Sequence, residues 1–183
     1  MCARSEAKGK SAIESLKRTQ PDADLHLLLM DNASLPSVMA AANKFLQTEK
    51  RLDILYANAG IMATPPQILD SGYDAELQVN YISHFLLTFL LLPLMVETAR
   101  SIPLGSVRVV NTTNIGHDLY SPKIGIDFDD MNQARGTPAG TWTRGSRYGM
   151  SKLANVLHAK EIARRYGGKG IWTASVHPGS VET

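Results

Sequence analysis

The chain has 183 residues, 44% hydrophobic and 20% charged, with a formal net charge of +2, the balance of one globular domain built around a single core. It carries no dense Lys/Arg run with interleaved aromatics, which sets nucleic acid aside as a partner. Cys2 is the only cysteine and the opening MCARSEAKGK lacks the apolar stretch of a secretory signal, so no internal disulfide is expected and the setting reads as reducing and cytoplasmic.

Short apolar runs alternate with longer stretches of helical period. Ser5 is placed to cap a first helix that carries Ile13 and Leu16 on one face. The run Leu25 to Met30 follows, then a helix capped by Ser34 with Val38, Ala42, Phe45 and Leu46 on one side. Leu52 to Ala57 is the next apolar run, and a third helix is expected from about Gly72 to Val96. Its most apolar part, Phe85 to Val96, is interrupted by Thr88 and Pro93, so it reads as a buried helix rather than a transmembrane span. Val107 to Val110 is a third run, and Tyr120 to Gly145 is a long loop rich in Gly, Pro, Asp and Thr. A fourth helix runs from about Arg147 to Tyr166, and Gly167, Gly168 and Gly170 release the chain into Ile171 to Val176. Runs that are continuously apolar imply strands buried on both faces, hence parallel strands joined by crossover helices. The fold class is therefore α/β, a doubly wound parallel sheet in one domain, with ligands expected beyond the carboxyl ends of the strands.

In the stretch RYGMSKLAN, Tyr148, Lys152 and Asn155 fall within about 60° of one another around a helix, opposite Met150, Leu153, Ala154 and Leu157. An ammonium near a phenol favours phenolate and brings proton exchange with an alcohol or ketone within reach. A chance Tyr-x-x-x-Lys is expected about 0.3 times in such a chain, so the pair needs company. It has company in YANAGI, where Asn58, Ala59 and Gly60 follow a strand, in LQVNYISHF, which puts Asn80 in a helix, and in VHPGSVET, which puts Pro178 and Gly179 after the last strand.

This ordered set resembles the short-chain dehydrogenase/reductase family, in the branch similar to retinol dehydrogenases and the oxidoreductase domain of WW-domain proteins, and the resemblance covers essentially the whole chain. It implies a Rossmann-type sheet, NADP(H) as cofactor with NAD second, and a small-molecule carbonyl or alcohol substrate of lipophilic character; it also allows a homo-oligomer. Tyr148 would be the general acid/base, with Lys152 lowering its pKa and binding the nicotinamide ribose. Asn80 would hold a water of the proton relay, and Asn114 stands where the family has its catalytic serine. Asn58, Ala59 and Gly60 would line the adenosine side and Asp31 would meet the adenine. Pro178, Gly179 and Thr183 would border the nicotinamide. Arg4 would pair with the 2′-phosphate of NADP.

The chain departs from the family pattern in three ways. The glycine-rich turn between first strand and first helix is absent, because the chain begins after that point, and Gly136-x-x-x-Gly140 does not replace it. An amide at Asn114 can donate a hydrogen bond but cannot reorient as a hydroxyl does, and Thr113 would point to the other face of an extended strand. The chain stops at Thr183, before the segment that closes over substrate. The expected sheet is thus incomplete, without its first strand and helix and without its C-terminal part. A non-catalytic relative acting as an interaction or regulatory protein, or an incomplete gene product, stands beside the enzyme reading. No metal site is expected from the five His residues.

Overall fold

A computed structural model of the protein describes residues 1–132 and 143–179. Five strands, β1 Cys2–Ala3, β2 Leu28–Leu29, β3 Ile54–Ala57, β4 Val107–Thr112 and β5 Ile171–Val176, are all paired in parallel. They alternate with helices: α1 Glu6–Thr19, α2 Leu35–Thr48, α3 Ala75–Ser101, α4 Gly116–Leu119 and α5 Thr143–Tyr166. Ser5 and Ser34 cap α1 and α2 as expected, accepting from the backbone of Lys8 and Ser37.

The strands form two ladders, β1–β2 and β3–β4–β5, and none joins β1 to β3 among the described residues. The β2 ladder is shorter than its apolar run because β1 offers only two residues to pair with, Cys2 opposite Leu28 and Ala3 opposite Leu29. An apolar cleft of about 300 Å³ opens between the two ladders, lined by Leu28, Phe45, Leu52, Leu55, Leu87 and Leu91.

What holds the ladders together is α3. Its Leu87 and Leu91 pack with Met30, Val38, Ala41 and Ala42 on the β2–α2 side, while its Leu92 and Met95 pack with Val107, Val109, Ile162 and Ile171 on the β4–α5–β5 side. α3 is long and apolar enough to cross a bilayer by length and composition, yet it also buries Ser83, His84, Thr88 and Thr98. It starts three residues later than expected. Gly72 sits in a turn at φ 83°, and Asp74 caps the helix by accepting from the backbone of Glu76 and Leu77. The hydrogen bonding widens to a π-turn over Gln78–Ile82, a local defect frequent at functional sites.

Two features were not foreseen. A short helix, α4, follows β4 directly, and the polar face of α5 is not solvent-facing. Tyr148, Lys152 and Asn155 are 7%, 5% and 1% exposed, whereas Leu157 on the presumed core side is 45% exposed. The reason is tertiary: α5 is clasped between the sheet, α3 and α4, so its polar residues are buried and hydrogen-bonded instead of solvated.

Candidate active site

The site gathers at the carboxyl ends of β3 and β4 and on the first turns of α5. At the end of β4 the side chains alternate, as an extended strand requires. Thr113 is buried and its hydroxyl donates to the Lys152 carbonyl at 2.9 Å. Asn114 points the other way, its Nδ2 donating to Tyr148 Oη at 2.5 Å, while its Oδ1 accepts from the Gly116 backbone at 2.8 Å. The amide is therefore oriented from both ends, with its donor aimed at the phenol. Gly149 allows this closeness: a Cβ there would lie 2.6 Å from Ser121 N and 2.7 Å from Gly116 O.

One turn along α5, Lys152 Nζ donates to the Thr112 carbonyl at 3.0 Å and lies 5.6 Å from the Tyr148 ring centroid. Asn155 Nδ2 donates to the Asn80 carbonyl at 3.1 Å and to Thr112 O at 3.3 Å. Asn80, in the π-turn, donates from Nδ2 to Ile61 O and Ser151 Oγ and accepts at Oδ1 from Ile61 N at 2.8 Å. It thereby pins the segment after Gly60. A Cβ on Gly60 would come within 3.1 Å of Asn80 Oδ1 and 3.4 Å of Lys152 Nζ, so Gly60, Asn80 and Lys152 form one close-packed corner.

The sequence reading has Lys152 lowering the Tyr148 pKa. In the structure the phenol stands above its ordinary value. Burial pushes it up, the hydrogen bond from Asn114 pulls it down, and the charge of Glu76 pushes it up again. Lys152 is itself held below the usual lysine range by burial, and its ammonium is turned to a carbonyl, not to the phenol oxygen. Burial thus outweighs the lysine effect that the spacing suggests.

The residues assigned to a cofactor are spread along the same edge. Asn58 accepts from the Thr112 hydroxyl at 2.8 Å, and the Ala59 carbonyl accepts from His84 Nε2 at 2.8 Å; Asn58, Ala59 and Gly60 are exposed. Asp31 follows β2 and its carboxylate accepts from Ala33 N at 2.9 Å. Arg4 is exposed at the end of β1, and Pro178 and Gly179 are exposed after β5. Thr183, Gly136 and Gly140 lie outside the described residues. Among the described residues no group of His, Cys, Asp or Glu is arranged to hold a metal ion.

Several residues that shape the site escaped the sequence reading. His84, 4% exposed, supports the Ala59 carbonyl, and its pKa is lowered, first by burial. Asn32, buried after β2, accepts at its carbonyl from Gln78 Nε2 at 3.1 Å and Ser83 Oγ at 2.6 Å, tying the β1–β2 unit to α3. Arg147, Asp74 and Glu76 form a buried charged group beside Tyr148. A polar residue inside an apolar helix, as His84 is, and an Asp just ahead of one, as Asp74 is, were the available signals.

The short chain dehydrogenase family model matches residues 1–118. The chain belongs to the short-chain dehydrogenase/reductase family. It is 46% identical to the short-chain dehydrogenase/reductase drtF of Aspergillus calidoustus, over the whole of this chain and 59% of that protein. To human retinol dehydrogenase 12 it is 35% identical, over 96% of this chain and 51% of that one. The chain thus spans a little over half the length of these curated relatives. Among solved structures it is similar to the Pseudomonas aeruginosa RhlG/NADP active-site complex, with a TM-score of 0.68 and 25% identity over 99% of this chain and 62% of that one. A Mycobacterium paratuberculosis protein of uncharacterized role matches with a TM-score of 0.73 and 28% identity, over all of this chain and 59% of that one. The fold is accordingly part of a Rossmann-type α/β sheet, and the family is one of oxidoreductases that use NAD(P) on small molecules.

Proposed function

We propose that this chain carries the proton-exchange site of an NADP(H)-dependent oxidoreductase that interconverts a carbonyl and an alcohol. The observation that carries this reading is the convergence of Asn114 Nδ2 and Tyr148 Oη at 2.5 Å, with Lys152 and Asn80 packed behind them. When bound, the nicotinamide cofactor supplies hydride chemistry. The exposed Asn58–Gly60 backbone and the close approach at Gly60 fit a flat ligand lying against the strand end. Lys152 and Asn58 would hold its sugar side, Asp31 its adenine, and Arg4 a 2′-phosphate through a charge-assisted contact.

Tyr148 exchanges the proton at Oη. Its raised pKa keeps the phenol protonated at neutral pH, the form that donates to a substrate oxygen as negative charge develops there. Asn114 presents an amide donor to the same point and stabilises that charge. Asn80 fixes the loop after Gly60, and a water role for it belongs with this proposal. Ile115 and Leu119, 50% and 55% exposed just beyond Asn114, fit a lipophilic substrate, in keeping with a relative named for retinol.

Titrating the purified chain with NADPH and NADH by calorimetry tests the cofactor assignment, with tighter binding of NADPH expected. Absence of binding to either would overturn the reading. For turnover of an apolar aldehyde panel, Tyr148→Phe should abolish activity and leave NADPH binding nearly unchanged.

A further inference from the structure

The segment that follows β3 is held from one side by α3. His84 Nε2 lies 2.8 Å from the Ala59 carbonyl oxygen, and Asn80 accepts from Ile61 N at 2.8 Å and donates to Ile61 O at 2.9 Å. Asn80 and His84 stand four residues apart, on a single face of the helix. Both are buried, at 0% and 4% exposure, whereas Ala59 and Gly60 are exposed. A buried helix face therefore grips the inner edge of an exposed turn.

Two neighbours make opposite demands on His84 Nε2. The Ala59 carbonyl, at 2.8 Å, needs a donor there, while Asn32 Nδ2, at 3.4 Å, would need an acceptor. The shorter contact decides, since a ring-nitrogen lone pair facing a carbonyl oxygen at that distance would repel it. Asn32 Nδ2 has another acceptor in the Val79 carbonyl at 3.3 Å. His84 Nδ1 is buried and has no partner among the described residues, so a proton there would be an orphaned donor. Burial also lowers the pKa of the ring. His84 is therefore the neutral tautomer with its hydrogen on Nε2, and it donates to Ala59.

The consequence lies on the other side of the peptide bond. The described chain has no cis peptide, and in a planar trans peptide the carbonyl of one residue and the N–H of the next point in opposite directions. With the Ala59 carbonyl turned inward to His84, the Gly60 N–H points outward, and nothing among the described residues accepts from it. By the same rule the Ile61 N–H, turned to Asn80, sends the Gly60 carbonyl outward. Glycine tolerates either sign of φ, so nothing at Gly60 itself stops the Ala59–Gly60 peptide from turning over and showing a carbonyl in place of the N–H. We propose that His84 is a positioning residue for the dinucleotide edge: it holds this peptide so that the Gly60 N–H faces outward as a donor to an oxygen of the bound cofactor. Without the imidazole donor the Ala59 carbonyl is freed to turn out towards water, where it repels the same oxygen.

The inference rests on the reading that a dinucleotide binds along Asn58–Gly60. Two substitutions separate the donor from polarity alone, because the amide nitrogen of glutamine falls near the place of Nε2 and that of asparagine near Nδ1. Calorimetry of the full chain with NADPH should show binding weakened about tenfold in His84→Asn and kept within about threefold of wild type in His84→Gln. Equal losses in both variants, or none in either, would overturn the proposal. A purely structural role would lower melting temperature and affinity together, without rescue by glutamine. The ligand-free chain supplies an independent arm. Long-range ¹H–¹⁵N spectra of the wild type should show His84 protonated at Nε2 and bare at Nδ1, and the opposite tautomer would overturn the proposal even if neither variant folds. A wild type that binds neither NADPH nor NADH would count against the proposed function. The residual dipolar coupling of the Gly60 amide then decides the peptide orientation by itself: it should match wild type in His84→Gln and differ in His84→Asn, and equal couplings in all three would overturn it.

Discussion

The β1–α1–β2 unit and the β4–α5–β5 unit are built from the same strand–helix–strand grammar, yet they are held very differently. In the first, β1 and β2 share a two-residue ladder, and α1 buries only Gly9. In the second, β4 and β5 pair over six residues, and α5 buries Met150, Ala154, Ala159 and Ile162 together with the polar residues of the site. The catalytic candidates Tyr148, Lys152 and Asn114 belong to the second unit and the cofactor candidates Arg4 and Asp31 to the first. Proton chemistry, which tolerates little misplacement, is thus assigned to the better-packed unit, and the adenine and phosphate contacts to the looser one.

The largest effect should come from Arg147. Arg147→Met leaves Asp74 and Glu76 buried without their guanidinium and should cost about 3 to 5 kcal/mol, read as a lower midpoint in urea. A loss below about 1 kcal/mol would mean that this buried charged group adds little to the second unit.

Acid should act next, and on the same unit. His158 packs against Tyr81 and Phe85 with ring centroids 5.8 Å and 5.5 Å away, and its pKa is lowered to about 4, by burial first and then by the charge of His84. Because the folded value lies below the unfolded one, its stabilising contribution is complete above about pH 6.5 and is lost as pH falls towards 4. Wild type should lose about 3 kcal/mol over that window from this group. His158→Phe should remove that part of the acid sensitivity in melts at pH 7 and pH 4.5.

The same substitution in the two units gives the sharpest contrast. A Cβ on Gly149 would meet backbone atoms at 2.6 to 2.7 Å, so Gly149→Ala should cost about 1 to 3 kcal/mol and displace α4 from Tyr148. A Cβ on Gly9 would meet side chains and no backbone, Leu27 at 2.5 and 2.9 Å and Ala3 Cβ at 3.3 Å. That leucine end can move aside, and alanine in a helix interior gains up to about 1 kcal/mol over glycine, so Gly9→Ala should change stability by less than about 1 kcal/mol. Equal losses at the two sites by chemical denaturation would show that α1 is packed as tightly as α5.

The residue pattern gives most of the order of strands and helices, the caps Ser5 and Ser34, and opposite directions for Thr113 and Asn114, while the resemblance carried by Asn58 to Gly60, Asn80, Tyr148, Lys152, Pro178 and Gly179 gives the family and matches Asn114 to its catalytic serine. The pattern-based part rests on interactions within a few residues: apolar runs, a side chain reaching the next turn's N–H, and the two-residue alternation of a strand. The start of α3 at Ala75, capped by Asp74, and the short helix α4 were not legible because a turn glycine and a loop composition carry weaker local signals. The burial of α5's polar face, the Arg147 hydrogen bond to the Thr64 carbonyl across 83 positions, and the upward direction of the Tyr148 pKa were decided only by tertiary structure. Each depends on what α3, α4 and the sheet bring alongside α5. Desolvation and charge add over groups far apart in the chain, so a Tyr-x-x-x-Lys spacing shows which residues are neighbours but not which electrostatic influence on the phenol is largest.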